Sequence, residues 1–178
     1  MKRIVLVFGL IAGGIMSAMM VLSVPFMDGS GSSLVVGYTS MVLAFLMIWF
    51  GVRSYRDNVA GGTVTFWRAC GTGLLITAIA SACYVATWEV VYFNFMPDFA
   101  DKYAAQAIQR ARTEGKSQAE IDEVTKRMDE FRVAYNNPLI NIGYTLLEPL
   151  PVGILLSLVS AGVLSRKLAG GGAGSKVA

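Results

Sequence analysis

Four stretches of this sequence, about residues 4–26, 34–52, 66–95 and 138–165, are almost free of charge and long enough to cross a bilayer. At ~1.5 Å of rise per residue, about 20 helical residues bridge the ~30 Å hydrocarbon layer. Backbone amides in hydrocarbon must be satisfied internally, which leaves helices or closed barrels, and barrel strands are only about half as long. The expectation is an all-α polytopic membrane protein with four transmembrane helices, residues 1–168 forming one membrane domain. The 54% hydrophobic content fits that class rather than a globular domain. Met1-Lys2-Arg3 and the apolar run after it resemble a secretory signal, but the run is too long, and retention as the first span is expected. The Gly-rich tail, 169–178, has no apolar pattern and is expected to be disordered.

Only residues 97–136, between the third and fourth spans, are strongly charged, and they read as two helices outside the membrane. Phe99, Tyr103 and Ala107 share a side of the first. Ser117 and Glu120 have the spacing of a capping box at the start of the second, whose Ile121, Val124, Met128, Phe131 and Tyr135 recur every three or four residues. The stripes can bury against each other as a helical hairpin, or against a partner or the bilayer surface. Between the second and third spans, Gly61-Gly62 breaks the chain and Thr65 is placed to cap the third helix.

With four crossings, Lys2, Arg3, Arg53, Arg56, Arg68, Arg166 and Lys167 fall on one side with Asp57 the single acid among them. The positive-inside rule then puts both termini and the 53–65 loop in the cytoplasm of a bacterial inner-membrane protein, with the hairpin periplasmic or extracellular. Charges of both signs mix through the hairpin, which argues against a nucleic-acid partner. The chain has no histidine, so histidine metal sites, histidine bases and Ser-His-Asp triads are excluded. Cys70 and Cys83 lie in one predicted helix, about 20 Å apart by rise, too far to bridge. No cofactor or metal is implied.

Gly51-Val52-Arg53-Ser54-Tyr55-Arg56-Asp57, Gly61-Gly62 and Phe66 resemble the loop of an uncharacterised bacterial membrane family, domain of unknown function 4199. Pro97-Asp98-Phe99, Asn137-Pro138 and Glu148-Pro149-Leu150-Pro151-Val152-Gly153 are similar to its later motifs. The resemblance runs to about Arg166 and implies a four-helix integral membrane protein without an assigned activity.

Glu148 is an acid inside an apolar run, which marks a functional position by default because a lone buried charge is expensive in hydrocarbon. On a helix, Tyr144 and Thr145 lie one turn outward from it, Asn141 two and Asn137 three, giving a polar stripe that reaches Glu148 about 15 Å along the axis. Pro149 and Pro151 lack N–H groups, so the carbonyls of Thr145 and Leu147 lose their helical donors. On the third span, Ala78, Ala82 and Ala86 share a face with Glu89, expected to point into the bundle so that Glu89 can join Glu148. Tyr84, Trp88, Tyr92 and Phe95 form a second stripe there, read as an interfacial aromatic belt. Two small-residue ridges, Gly9/Gly13/Ser17 and Gly153/Ser157/Ala161, are expected to pack helices closely. Glu148 is alternatively a structural lock, hydrogen-bonded across helices to Tyr84, Thr87 or Glu89.

The leading functional expectation is a non-enzymatic assembly or interaction component that meets the lipid bilayer along its spans and a protein partner through the hairpin, homo-oligomerisation being left open. The alternative is a proton- or cation-coupled transport component using Glu148 and Glu89. An enzyme ranks third for want of a nucleophile and base pair.

Overall fold

A computed structural model describes residues 1–24 and 32–165, without the side chains of 32–38. The turn expected around Pro25 to Ser33, Arg166, Lys167 and the Gly-rich tail fall wholly or partly outside the described residues. Seven helices follow in order among the described residues: α1 (Lys2–Ser23), α2 (Ser32–Asn58), α3 (Phe66–Phe95), α4 (Phe99–Thr113), α5 (Gln118–Tyr135), α6 (Pro138–Leu146) and α7 (Pro149–Leu164). Among the described residues there is no strand. Among the described residues, three helical segments are long and apolar enough to cross a membrane: α1, α3, and α6 with α7 taken together.

The third helix is the centre, packing against α1, α2, α6 and α7. A β-carbon added to Gly9 would meet Ile79, and one added to Gly13 would lie 2.6 Å from the Cys83 β-carbon. The Ser17 hydroxyl reaches the Cys83 carbonyl at 3.4 Å and accepts from Thr87 at 2.8 Å. These pairs advance together along both helices, so α1 and α3 run parallel. The other ridge runs the opposite way, with Gly153 against Thr77 and Ser157 against Gly73, so α7 is antiparallel to α3. Both ridges are internal seams, where absent side chains let backbones approach and gain dispersion contacts.

The buried face of α3 differs from the one expected. Ala78, Ala82 and Ala86 are exposed, whereas Thr72, Gly73, Ile76, Thr77, Ala80, Ser81 and Val85 face inward. The hydroxyls of Thr72 and Thr77 bond to the carbonyls four residues back, at 2.8 and 3.0 Å, so each donor is satisfied within its own helix, and Thr77 Oγ1 also meets Ser157 Oγ of α7 at 3.3 Å. Glu89, on the outward alanine side, is only half-buried.

At the other end of α3, Gly61 and Gly62 take φ of 68° and 86°, a left-handed conformation that suits glycine. The Gly62 amide returns to the Arg56 carbonyl at 2.9 Å and closes the end of α2. Thr65 is the N-cap residue of α3, though its side chain makes no capping bond. In the hairpin, Ser117 and Glu120 form the reciprocal capping box. Ala100, Ala104 and Ala111 bring α4 against α5, where Ile121, Val124, Met128 and Phe131 are half-buried and Tyr135 is buried, while Val133 faces out. The small alanines, more than Tyr103, which is half exposed, set the approach.

The expected continuous fourth span is interrupted at Leu147–Glu148. Because Pro149 offers no N–H, the Thr145 carbonyl accepts instead from the Glu148 amide, one residue early, at 3.4 Å.

Candidate functional site: a polar ladder between α3 and the hairpin

Tyr84, Trp88 and Tyr92 recur every fourth residue on α3 and therefore share one face. Asn141, Thr145 and Glu148 share another, on α6 and just past its end. The α3 face meets this one at Tyr84 and Trp88, and the end of the hairpin at Trp88 and Tyr92. Tyr84 donates to Glu148 Oε2 at 2.7 Å. Trp88 Nε1 shares its proton between the Tyr135 hydroxyl at 2.9 Å and Asn141 Oδ1 at 3.1 Å. Tyr92 donates to Asn136 Oδ1 at 3.0 Å.

The middle rung is the best enclosed. Asn141 is fully buried, donates to the Tyr135 carbonyl at 3.3 Å, and accepts from Thr145 Oγ1 at 3.2 Å. Buried amides and hydroxyls are costly unless paired, and here each has a partner. Aromatic rings wall the rung: Trp88 meets Phe99 edge-on at 4.9 Å, Tyr92 meets Tyr135 at 5.3 Å, and Tyr135 lies 4.8 Å from Phe131. Burial pushes the Tyr135 phenol up to about 12, against the pull of the Trp88 donor.

The aromatic stripe is thus not a belt. Trp88 and Tyr92 are buried, because the hairpin folds back over them and supplies partners for their polar atoms, while Phe95 at 72% exposure keeps a surface position. The sequence reading missed Tyr135, Trp88 and Asn136 as one unit. The available signal was the four-residue spacing from Tyr84, which puts Trp88 on the face opposed to Asn141.

The remaining site residues separate. Tyr144 is half exposed, its ring 6.0 Å from Tyr135. Pro149 is buried and Pro151 exposed. Asn137 caps α6 by accepting from the Leu139 amide at 3.0 Å, so its side chain serves the helix end rather than the polar stripe. Glu89 lies five residues beyond Tyr84, about 140° around the helix, so it leaves a different face from the one that holds Glu148. No contact joins the two acids among the described residues, and Glu89 Oε1 is buried without a hydrogen-bond partner. Glu148 is exposed beside Leu147. No cluster of ligating side chains suited to a metal ion occurs among the described residues.

At the far end, Tyr55 is buried in the core, while Arg56 and Arg53 flank Asp57 at 2.7 and 3.6 Å. Those guanidiniums, Arg56 first, hold the Asp57 carboxyl below the usual carboxylate range.

A family model described as Protein of unknown function (DUF4199) matches residues 7–166. The chain belongs to this family. The match spans the loop around Asp57, the hairpin and the whole ladder, so these are parts of one DUF4199 domain. No curated protein and no solved structure matches the chain.

Proposed function

We propose that this DUF4199 protein is a non-enzymatic bacterial inner-membrane protein of four crossings whose outer hairpin is a fixed docking platform for assembly with a protein partner. The observation that carries the reading is the Trp88 rung. One indole on α3 holds both Tyr135 at the end of the hairpin and Asn141 of the last span. A hairpin fastened this way presents a constant surface, which lowers the ordering cost of binding. Arg132 adds a contact to Asp101 at 2.9 Å across the two hairpin helices, though not an aligned hydrogen bond.

Four crossings are supported by direction. Helices α1 and α3 run parallel, and a chain that crosses twice in the same sense must return between them. The 27 residues of α2 are the connection, packed against α1, α3 and α7. The termini and the 53–65 loop then share the cytoplasmic side, with the hairpin opposite.

The test is deletion of residues 100–131 with a short linker, followed by affinity purification of intact and shortened protein from solubilised membranes. Loss of a stoichiometric companion with insertion unchanged is expected. Identical companions from both forms would reject the platform.

A further inference from the structure

We propose that the groove between α1 and α2, at the end of the bundle bearing Arg53, binds one anionic phospholipid of the cytoplasmic leaflet. This rests on the four-crossing membrane reading and adds a ligand to it. The groove holds about 390 Å³ and is lined by Phe8, Met47, Phe50, Arg53, Ser54 and Asp57. On α2 the lining positions 47, 50, 54 and 57 fall at intervals of three and four, so they form one face. That face changes from wholly apolar to polar within 10 residues, about 15 Å of helix. The gradient matches a lipid, with an acyl chain beside Phe8, Met47 and Phe50 and a phosphate at Arg53 and Ser54. In a bilayer the apolar part of such a groove is filled by hydrocarbon, since water gains nothing there.

The charge selects the headgroup. Asp57 is held mainly by Arg56, with Nε to Oδ1 at 2.7 Å, whereas the Arg53 contact is 3.6 Å and its side chain is 58% exposed. The planar fork of Arg53 therefore keeps N–H donors for phosphate oxygens, which it suits geometrically. Lys2 and Arg3 begin α1, and Arg68 lies in the first turn of α3, all exposed and all at this end of the bundle. With Arg53 and Arg56 they outnumber Asp57, and basic pockets between helices on this side are suited to anionic lipid. Exposed Trp67, beside Arg68, fits an interfacial depth for the same end. A zwitterionic lipid offers the same chain but no net negative charge, so the site should discriminate between them.

The experiment uses full-length protein in detergent, with thermal unfolding and native mass spectrometry read during titration with phosphatidylglycerol, phosphatidylcholine of identical chains, or inorganic phosphate. Phosphatidylglycerol is expected to stabilise the protein saturably with one bound lipid, and the other two to have little effect. Arg53→Gln should weaken phosphatidylglycerol by on the order of tenfold, the loss of a charge-assisted contact. Met47→Trp, which fills the apolar part, should abolish the one-lipid species while leaving lipid-free unfolding near the parent. Arg127→Gln on the hairpin is the charge control and should change nothing. Equal stabilisation by phosphatidylcholine, an equal effect of phosphate alone, or undiminished binding by Arg53→Gln would overturn the site. Alkaline carbonate extraction separates the two levels: protein released from membranes rejects the membrane reading as well, whereas retained protein without lipid selectivity rejects the groove alone.

Discussion

Trp88 carries more than its area. Its indole proton is divided between Tyr135 and Asn141, so replacing it removes a donor from two buried acceptors at once. Asn141 Oδ1 keeps the Thr145 hydroxyl at 3.2 Å. Tyr135 loses the indole donor. Trp88→Phe preserves an aromatic body against Phe99 and should still cost about 1–3 kcal/mol, the usual penalty for a buried polar group deprived of its partner. Reversible unfolding in mixed micelles measures this, and a change indistinguishable from zero would mean that the rung is not closed in solution. Tyr135 also makes a pH prediction. Its pKa is about 12 in the folded protein, against ~10 for an unperturbed tyrosine. The folded state therefore binds the proton more tightly, so its contribution is complete below pH ~10 and is lost as pH rises toward 12. Stability should fall across that interval, and less so in Tyr135→Phe. Absorbance titration should find one tyrosine ionising about two units after an exposed one; a phenolate formed near pH 10 in the folded protein would contradict the enclosure.

At the scale of helices, the seams are set by residues with little side chain. A β-carbon at Gly13 would lie 2.6 Å from Cys83 Cβ and 3.3 Å from the Ala80 backbone, so the two parallel helices would have to part. Gly13→Val should destabilise by about 1–3 kcal/mol through overpacking, while the same change at Gly14, where an added β-carbon meets nothing within 4 Å, should be nearly neutral. Comparing their melting temperatures checks the seam, and equal effects would argue against it. These ridges were readable in the sequence because small residues at a spacing of four have few other uses in an apolar helix. The capping box at Ser117 and Glu120 was readable because two residues complete it. The inward face of α3 was not, since Thr72 and Thr77 become packing residues only by bonding to their own backbone, and hydropathy scores them as polar. Nor was the ladder fully legible. Asn141, Thr145 and Glu148 stood out by polarity within an apolar run, but Trp88 and Tyr92 look the same whether they meet headgroups or a covering hairpin. What decides between those is the path of α4 and α5, a long-range contact with no local signature.

For the whole molecule, the decisive property is how many times the chain crosses. On the four-crossing proposal, α2 is the return between the parallel α1 and α3, and at ~1.5 Å per residue it is about 40 Å long, enough to cross the ~30 Å layer. The Gly9–Ile79 and Gly13–Cys83 pairings support that proposal, because with α2 on one surface α1 and α3 would cross in opposite senses. Single cysteines at Lys2, Val59 and Lys116, in a background with Cys70 and Cys83 replaced by alanine, turn this into a labelling pattern. All three positions are exposed, and a membrane-impermeant maleimide reports their side in intact spheroplasts. Four crossings place Lys2 and Val59 together and Lys116 opposite, so Lys116→Cys alone should label before lysis. Three crossings place Lys2 with Lys116 and isolate Val59, a different pairing whichever way the protein is inserted. The pairing tests crossing number, and the side on which Lys116 labels tests the orientation given by Lys2, Arg3, Arg53, Arg56 and Arg68. Lys116 labelling only after lysis would reverse the protein in the membrane, and with it the leaflet of the lipid proposed beside Arg53.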